Sequence, residues 1–389
     1  MHDVVIVEAV RTPLGRGSPK NGALHDVHPV LLAAHVLREV TGRVNLDPAL
    51  VDDVIFGCVT QTGEQASNIA RQAVLAAGFP VEVPSVTVDR QCGSSQQAIH
   101  FAAALISSGE CEIVVAAGVE SMSRVPMGSN VEQGPGTPYP AELLGHHPIV
   151  AQGLAAEMIA ERWGISRREA DELAALSQQR AAAAQAQGRF DREIAPIVVG
   201  ENGDGRVVSS DQGIRPGTTA LQLAQLPPSF KPDGVLHAGN SSQMTDGAAA
   251  VLLMSAERAE RLDLRPRARI RAQATVGVDP VSMLTGPIPA TRKVLERAGL
   301  RLADIDRVEI NEAFAPVVIA WAREHGPDMS RVNVNGGAIA VGHPLGASGA
   351  RLMATLLHEL ERSDGQLGLQ TMCCGGGLGT ATVIDRDVA

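Results

Sequence analysis

The sequence predicts an α/β fold whose sheets are covered by helices on both faces. Short runs rich in Val and Ile alternate with Ala-rich stretches of helical length along the chain. Such alternation is typical of sheets that lie between layers of helices. The order of strands, loops and helices also recurs roughly 245–255 positions later, which indicates two copies of one α/β unit.

The composition sets the size and the kind of core. A chain of 389 residues is too long for one simple core, so two or three domains or one large duplicated domain are expected. Hydrophobic residues make up 44% of the chain but aromatic residues only 2%, so the core is mainly aliphatic. With 40 glycines, this indicates close packing between helices and sheets.

Charge and cysteine usage exclude several classes of protein. The net charge of −10 argues against general binding to nucleic acid or anionic membranes, although a local cationic patch could still bind an anionic substrate. The N-terminus lacks the features of a signal peptide, and no apolar run approaches a membrane span. The five cysteines include no C-x-x-C pair, so we expect reduced thiols, no metal site and a cytoplasmic protein.

The individual elements follow from these patterns. The apolar runs predict strands in 3–10, 51–59, 85–89, 112–118, 306–311, 331–336 and 368–374. The Ala-rich stretches predict helices in 94–108, 167–187, 290–298, 312–325 and 349–362. Three pairs of segments match in order, namely 47–57 with 301–311, 85–110 with 331–363, and 111–123 with 367–380. We therefore expect one half in 1–117 plus 245–266 and the other in 267–389.

A region of different character separates the two copies. Residues 118–244 hold Pro- and Gly-rich segments around one long predicted helix, with Ser166 as its N-cap and Gly188 as its stop. A loop-rich insertion on a rigid α/β platform is a common way to build a lid over a substrate site. We expect this region to form a loop domain.

Cys92 is a candidate nucleophile. It follows a predicted strand and directly precedes a predicted helix, in "CGSSQQAIHF". The positive end of a helix dipole lowers the pKa of a thiol and makes its thiolate available. The alternative is a structural cysteine, because free cysteines are among the most buried residues.

Polar residues in two other loops could assist such a thiol. His343 lies in the Gly-rich loop "AVGHPLGASG", where an imidazole could act as the base or could simply bind backbone. Asn311 and Glu312 lie between a predicted strand and a predicted helix. Either could orient a water molecule or cap that helix.

Cys373 and Cys374 stand side by side before three glycines. Because neighbouring residues of a strand point to opposite faces, the two thiols are expected to differ in role. One could face the site as an acid or base while the other packs in the core. The glycines would allow backbone N–H groups to approach a ligand, as in an oxyanion hole, or could simply form a turn.

Several motifs together resemble the thiolase family. They are Cys92 with its helix, "NEAF" (311–314), "GHPLGASGAR" (342–351) and "CCGGGLGTA" (373–381). Further thiolase-like segments, including "VRTPLGR" (10–16) and "GNSSQMTDGAAA" (239–250), follow in the same order over the whole chain. The resemblance implies the thiolase fold, with duplicated βαβαβαββ halves in a five-layered α-β-α-β-α arrangement and an inserted loop domain.

The resemblance also implies roles for the candidate residues. Cys92 resembles the nucleophile that carries the acyl group as a thioester, and His343 resembles the base that activates it. Cys373 resembles the second acid/base, which leaves Cys374 to packing. Asn311 would hold a water that, with His343, binds the thioester oxygen of the incoming acyl-CoA. The N–H groups of Cys92 and Gly375 would bind the oxygen of the acyl-enzyme.

Residues for coenzyme A follow from the same motifs. Arg215 resembles a basic residue near the nucleotide end of CoA, and Ser242 resembles one that meets the pantetheine arm. Met283 and Phe314 would line the acyl site. Where biosynthetic relatives that act on acetoacetyl-CoA often carry His, this chain has Ala151, which favours a larger pocket. The composition and the segment around Cys92 are similar to those of actinobacterial thiolases, some of which act on sterol fragments.

The implied reaction is reversible thiolysis of 3-oxoacyl-CoA by CoA in fatty acid or sterol β-oxidation, with CoA as co-substrate and no permanent cofactor. Other readings remain open: an acetyl-CoA C-acetyltransferase restricted to acetoacetyl-CoA, a decarboxylating condensing enzyme, or a silent acyl-CoA carrier. Family members are usually homodimers or homotetramers, so acyl-CoA, CoA and further copies of the chain are the expected partners.

Overall fold

The computed structural model describes residues 2–200 and 205–388. The first half contains β1 (Val4–Arg11), β2 (Gly15–Arg16), α1 (Pro29–Gly42), β3 (Asp53–Gly57), α2 (Ile69–Ala77), β4 (Ser85–Val88), α3 (Ser94–Ser108) and β5 (Ile113–Ser121). The insert contains α4 (Ser129–Glu132), α5 (Ala141–His146), α6 (Gln152–Arg162), α7 (Arg167–Ala186), β6 (Ile197–Val199), β7 (Arg206–Val208) and α8 (Ala220–Leu223).

The chain then returns to the first half and continues into the second. These elements are β8 (Thr245–Ser255), α9 (Ala256–Arg261), β9 (Ala268–Gly277), α10 (Pro287–Ala298), β10 (Arg307–Ile310), α11 (Ala315–His325), α12 (Ala338–Val341), α13 (Ser348–Arg362), β11 (Leu367–Cys374) and β12 (Leu378–Asp385). Among the described residues, no helix is both long enough and apolar enough to cross a bilayer.

The strands form two mixed sheets that join at one edge. The first has the order β4-β3-β5-β8-β1 and the second has the order β9-β12-β11-β10. A short antiparallel pairing, Val5 with Arg269 and Ile6 with Ala268, links β1 to β9. In chain order the first half reads βαβαβαββ when the insert and the short β2 are left out, and the second half repeats this order with one strand missing.

The halves stack into five layers. Helices α1 and α2 pack on the outer face of the first sheet, and α10 and α11 pack on the outer face of the second. Helices α3 and α13 fill the layer between the two sheets with small and aliphatic side chains. The predicted α/β fold of duplicated halves is therefore confirmed.

The two central helices meet closely at their N-termini. A Cβ added to Gly349 at the start of α13 would lie 2.2 Å from the Gln96 backbone nitrogen of α3, so only glycine fits there. The Ala350 N–H donates to Ser95 Oγ at 2.9 Å across the same contact. Because Cys92 immediately precedes α3 and His343 precedes α13, this contact brings their two loops together.

One strand predicted from the sequence is absent from the second half. Residues 331–336 do not form a strand, and only an isolated bridge joins Val332 to Val308. Asn333 adopts a left-handed φ of 45°. Its side chain accepts from the Ile310 N–H at 2.9 Å and donates to the Ile310 carbonyl at 2.8 Å. One carboxamide thus takes the place of the backbone pairing at the end of β10.

The insert is anchored to both halves by buried polar contacts. Its long helix α7 starts at a capping box formed by Ser166 and Glu169, as the sequence indicated for Ser166. In the middle of α7, Ser177 Oγ donates to Glu312 of the second half at 2.6 Å. Arg11 of β1 pairs with Glu193 at 2.6 Å and with Asp211 at 2.7 Å. These contacts hold the insert in a fixed position over the two halves.

Candidate active site

A cavity of about 520 Å³ lies where the insert meets the two halves. Most of its wall is apolar, with a few polar groups that converge near one end. Its lining includes Cys92, Met122, Met127, Tyr139, Ala151, Gln152, Phe230, Ser242, Met244, Leu284, Phe314 and His343. A mostly apolar cavity with a few placed polar groups is the usual form of a small-molecule site.

Cys92 lies on a tight loop between β4 and α3. The preceding residue, Gln91, has a left-handed φ of 49°, which is a strained conformation for a side chain of this kind. The Gln91 carbonyl accepts from the Ser94 hydroxyl at 2.6 Å and from the Ser94 N–H at 3.0 Å, which fixes the loop to the start of α3. Cys92 is only 4% exposed, and the Gly375 N–H donates to its sulfur.

The resting state of this thiol differs from the sequence-based expectation. Burial raises the pKa of Cys92 to about 12, although hydrogen bonds from the backbone N–H groups of Gly375 and Cys92 itself favour the thiolate. The helix end was expected to lower this pKa, but removal of the sulfur from water has the larger effect. Cys92 is therefore a neutral thiol at physiological pH and needs a base when it reacts.

His343 is placed to be that base. Its Nδ1 lies 2.5 Å from Ser348 Oγ, and this hydroxyl donates its proton to the Pro344 carbonyl at 2.8 Å. The hydroxyl therefore accepts from Nδ1–H, which leaves Nε2 as the basic nitrogen. Burial, with the nearby Arg351 charge, lowers the pKa of His343 to about 3, so the imidazole is neutral.

Asn311 and Glu312 have separate roles. Asn311 is fully buried, with its Nδ2 3.3 Å from His343 Nε2, and its Oδ1 has no hydrogen-bond partner among residues 2–200 and 205–388. Glu312 accepts from Ser177, from Asn333 at 2.9 Å and from the Ile339 N–H at 3.2 Å. Neither residue caps α11, which begins at Ala315 with Phe314 in the cap position, so the capping alternative is wrong.

Both thiols of the vicinal pair lie close to Cys92. Cys373 packs in the apolar cluster that contains Met283 and Leu284. Cys374 packs in the cluster that contains Cys92, and its sulfur lies against Gly93. Burial raises the pKa of both thiols, and a charge on Cys92 would raise each of them further. The two side chains thus occupy opposite faces of β11, as predicted.

The predicted CoA residues divide into two groups. Ser242 and Phe314 line the cavity, and the Phe314 ring meets the Phe230 ring edge-on at 5.8 Å. Met283 is 3% exposed and lies behind the wall, so Leu284 rather than Met283 forms that part of it. Arg215 is exposed outside the cavity, 3.5 Å from the side chain of Gln243 at its edge.

Three polar residues of the site did not emerge from the sequence: Ser348, Gln91 and Gln152. Ser348 could have been found, since it follows His343 by five residues in the first turn of α13. Gln91 and Gln152 gave no signal, because their approach to one another depends on the tertiary fold. In residues 2–200 and 205–388, no cluster of three or more His, Cys, Asp or Glu side chains is arranged to hold a metal ion.

Comparison with known proteins gives consistent matches along the chain. The thiolase N-terminal domain model matches residues 4–257, and the thiolase C-terminal domain model matches residues 264–386. The chain is 48% identical to the steroid 3-ketoacyl-CoA thiolase FadA6 of Mycobacterium tuberculosis, over 99% of this chain and 95% of that protein. It is also 48% identical to a 3-ketoacyl-CoA thiolase of Aeromonas salmonicida, over 99% of this chain and all of that one.

A solved structure agrees with these sequence matches. The crystal structure of the Bacillus anthracis acetyl-CoA acetyltransferase superposes with a TM-score of 0.91 at 42% identity and covers 99% of both chains. The two family models together span nearly the whole sequence. The chain therefore belongs to the thiolase family.

Proposed function

We propose that this protein is an acyltransferase that cleaves 3-oxoacyl-CoA with CoA, reversibly, into acetyl-CoA and an acyl-CoA two carbons shorter. The observation that carries the proposal is the meeting of Cys92, His343 and the Gly375 N–H at one apolar cavity. The relatives named 3-ketoacyl-CoA thiolase support the same reaction, and β-oxidation of fatty or sterol-derived acyl groups is the corresponding metabolic role.

The first half-reaction forms the acyl-enzyme. The Cys92 thiol gives its proton to His343 Nε2 as its sulfur attacks the 3-oxo carbon. The raised pKa of Cys92 and the lowered pKa of His343 mean that this transfer occurs with the attack rather than before it. The N–H groups of Cys92 and Gly375 bind the oxygen as it becomes negative.

The carbon–carbon bond then breaks and the enzyme is regenerated. As the bond between C2 and C3 breaks, the acetyl-CoA carbanion takes a proton from Cys373, an assignment that rests on the motif. Asn311, whose Oδ1 has no hydrogen-bond partner in the part of the chain that the structure describes, would hold a water that binds the thioester oxygen together with His343. The thiolate left on Cys373 takes the proton of a second CoA thiol, whose sulfur attacks the Cys92 thioester. The departing Cys92 sulfur recovers the proton held by His343, which releases the shortened acyl-CoA and completes a ping-pong cycle.

We assign CoA recognition to the mouth of the cavity. The exposed Arg215 lies close enough to Arg16 for their charges to interact, and such a cationic pair would attract CoA phosphates. Ser242 and Phe314 would contact the pantetheine arm and the acyl group, with Met283 supporting Leu284 from behind. Residues 118–244 would act as the loop domain over the CoA site, between a first half in 1–117 plus 245–266 and a second half in 267–389.

The proposed assembly is a homodimer or homotetramer in the cytoplasm. Strand β4 is the free edge of the first sheet, and Val86 on it is 43% exposed, which suits pairing with a second copy. All five cysteines are free thiols, as in a reducing compartment.

A panel of substrates distinguishes the proposed function from the alternative functions. The relatives named 3-ketoacyl-CoA thiolase and the size of the cavity disfavour an acetyl-CoA C-acetyltransferase restricted to acetoacetyl-CoA. Turnover of acetoacetyl-CoA alone, the four-carbon substrate, would support that alternative. Dependence on a malonyl thioester would instead indicate a decarboxylating condensing enzyme.

The decisive experiment is peptide mass spectrometry after brief incubation with 3-oxooctanoyl-CoA. We expect a hexanoyl group on the peptide that contains Cys92, and its loss in Cys92→Ala. Cys111→Ala is the matched control, because Cys111 is a half-buried thiol outside the cavity lining. Folded protein that binds CoA but acquires no acyl group on any cysteine would contradict the proposal and indicate a silent acyl-CoA carrier.

A further inference from the structure

Two carboxamide side chains converge beside the proposed oxyanion hole. A Cβ placed on Gly375 would lie 2.7 Å from Gln152 Nε2 and 3.2 Å from Gln91 Oε1. Gly375 is the residue whose N–H donates to the Cys92 sulfur. Both carboxamides therefore lie next to the point where the acyl group is attached, and both line the cavity.

The two amides present complementary atoms. The Gln91 Nε2 group donates weakly to Asp89 at 3.5 Å, which directs its Oε1 toward Gly375 as an acceptor. Gln152, the first residue of α6, approaches the same point with its Nε2 as a donor. Gln152 is half-buried and lines the cavity. The pair thus offers one donor and one acceptor to a group between them.

The two carboxamides lie in an otherwise apolar part of the cavity. The neighbouring wall is formed by apolar side chains, among them Met127, Phe230, Leu284 and Phe314. A purely aliphatic acyl chain would cover the Gln152 amide without satisfying it, and an unsatisfied polar group in such a place is costly. A cavity built to hydrogen-bond a substrate oxygen discriminates strongly against the analogue that lacks it.

From this geometry, and resting on the proposed thiolase function, we infer that Gln152 together with Gln91 selects 3-oxoacyl-CoA substrates whose acyl chain carries an oxygen a few carbons beyond the 3-oxo group. A hydroxyl satisfies both amides, because it accepts from Gln152 Nε2 and donates to Gln91 Oε1. A second oxo group satisfies only Gln152. The expected order of preference is therefore hydroxyl, then oxo, then unsubstituted chain.

The test compares kcat/KM for 3-oxooctanoyl-CoA with that for its 6-hydroxy and 7-hydroxy derivatives. Wild-type enzyme is expected to prefer one hydroxy substrate by at least about tenfold. Gln152→Met keeps the side-chain length but removes the donor, so kcat/KM should fall more for the hydroxy substrate than for the unsubstituted one, and the preference should drop below about threefold.

Gln185→Met, on the exposed surface of α7, is the matched control and should leave the preference unchanged. Equal turnover of plain and hydroxylated chains by wild-type enzyme would overturn the inference, as would an equal loss on both substrates in Gln152→Met. These outcomes differ from failure of the proposed function, in which wild-type enzyme would not cleave even 3-oxooctanoyl-CoA and would acquire no acyl group on Cys92.

Discussion

Replacement of Ser348 by alanine would test how His343 is held in the tautomer that carries its proton on Nδ1 and leaves Nε2 basic. The hydroxyl accepts from His343 Nδ1 at 2.5 Å and donates to the Pro344 carbonyl, and Ser348 is fully buried. Its removal leaves a buried N–H without an acceptor, which costs about 1–3 kcal/mol. The imidazole can avoid that cost by moving its proton to Nε2, but this nitrogen is then no longer basic.

Either response lowers the rate of Cys92 acylation. A penalty of about 1–3 kcal/mol corresponds to a roughly 5-fold to 150-fold fall in kcat/KM. The assay is single-turnover acylation of Cys92 by 3-oxooctanoyl-CoA, with thermal unfolding measured on the same samples. The rate should fall while the KM for CoA stays nearly constant, because Ser348 lies away from the mouth of the cavity.

Ser95→Ala provides the matched control. Ser95 is as deeply buried as Ser348 and accepts from the Ala350 N–H at 2.9 Å in the same helix contact, but it does not contact His343. It should cost similar stability and leave acylation within about twofold of wild type. If Ser348→Ala acylates at the wild-type rate, or if Ser95→Ala is equally slow, Ser348 does not set the tautomer of His343.

Three further predictions concern the thiols and the CoA site. Because burial raises the pKa of Cys92 to about 12, its alkylation by iodoacetamide should accelerate roughly tenfold per pH unit from pH 7 to 10, and a plateau near pH 8 would contradict this. Cys373→Ala should still accept an acyl group from acyl-CoA but lose cleavage of the carbon–carbon bond. Cys374→Ala should mainly lower the melting temperature, and loss of turnover in well-folded Cys374→Ala would mean that the two roles are reversed. Arg215→Ala should raise the KM for CoA by several-fold with little change in kcat, and this effect should shrink at high salt; an unchanged KM would remove Arg215 from the CoA site.

The fold was largely predictable because its signals are local. Helix α3 occupies 94–108, as its Ala-rich pattern indicated, and α7 begins after the capping residue Ser166. The strand expected at 331–336 is absent because the Asn333 side chain makes the hydrogen bonds that a backbone pairing would otherwise make. Alternation of residue types cannot distinguish these two ways of satisfying the same backbone groups.

The chemistry of the site was less predictable, because it depends on burial and on distant contacts. Cys92 and His343 could be found in loops that precede helices, but the direction of the pKa shift at Cys92 was wrong. A helix end acts locally and can be recognised in a sequence, whereas desolvation depends on every layer that closes over the sulfur. Gln152 and Gly375 are more than two hundred positions apart in the sequence, and no local pattern in either segment predicts that they lie close together.

The opposite pKa shifts of Cys92 and His343 have one common cause. Both groups are almost completely buried, so the cavity disfavours every charged form: it raises the pKa of the thiol and lowers that of the imidazole. A thiolate–imidazolium pair is therefore costly until a substrate carbonyl can accept the negative charge beside the Gly375 N–H. Cys92 should then react readily with carbonyl carbon, whose oxygen the N–H groups can bind, and slowly with alkylating agents, which offer no such oxygen. Burial thus lowers the general reactivity of the nucleophile and restricts it to acyl transfer.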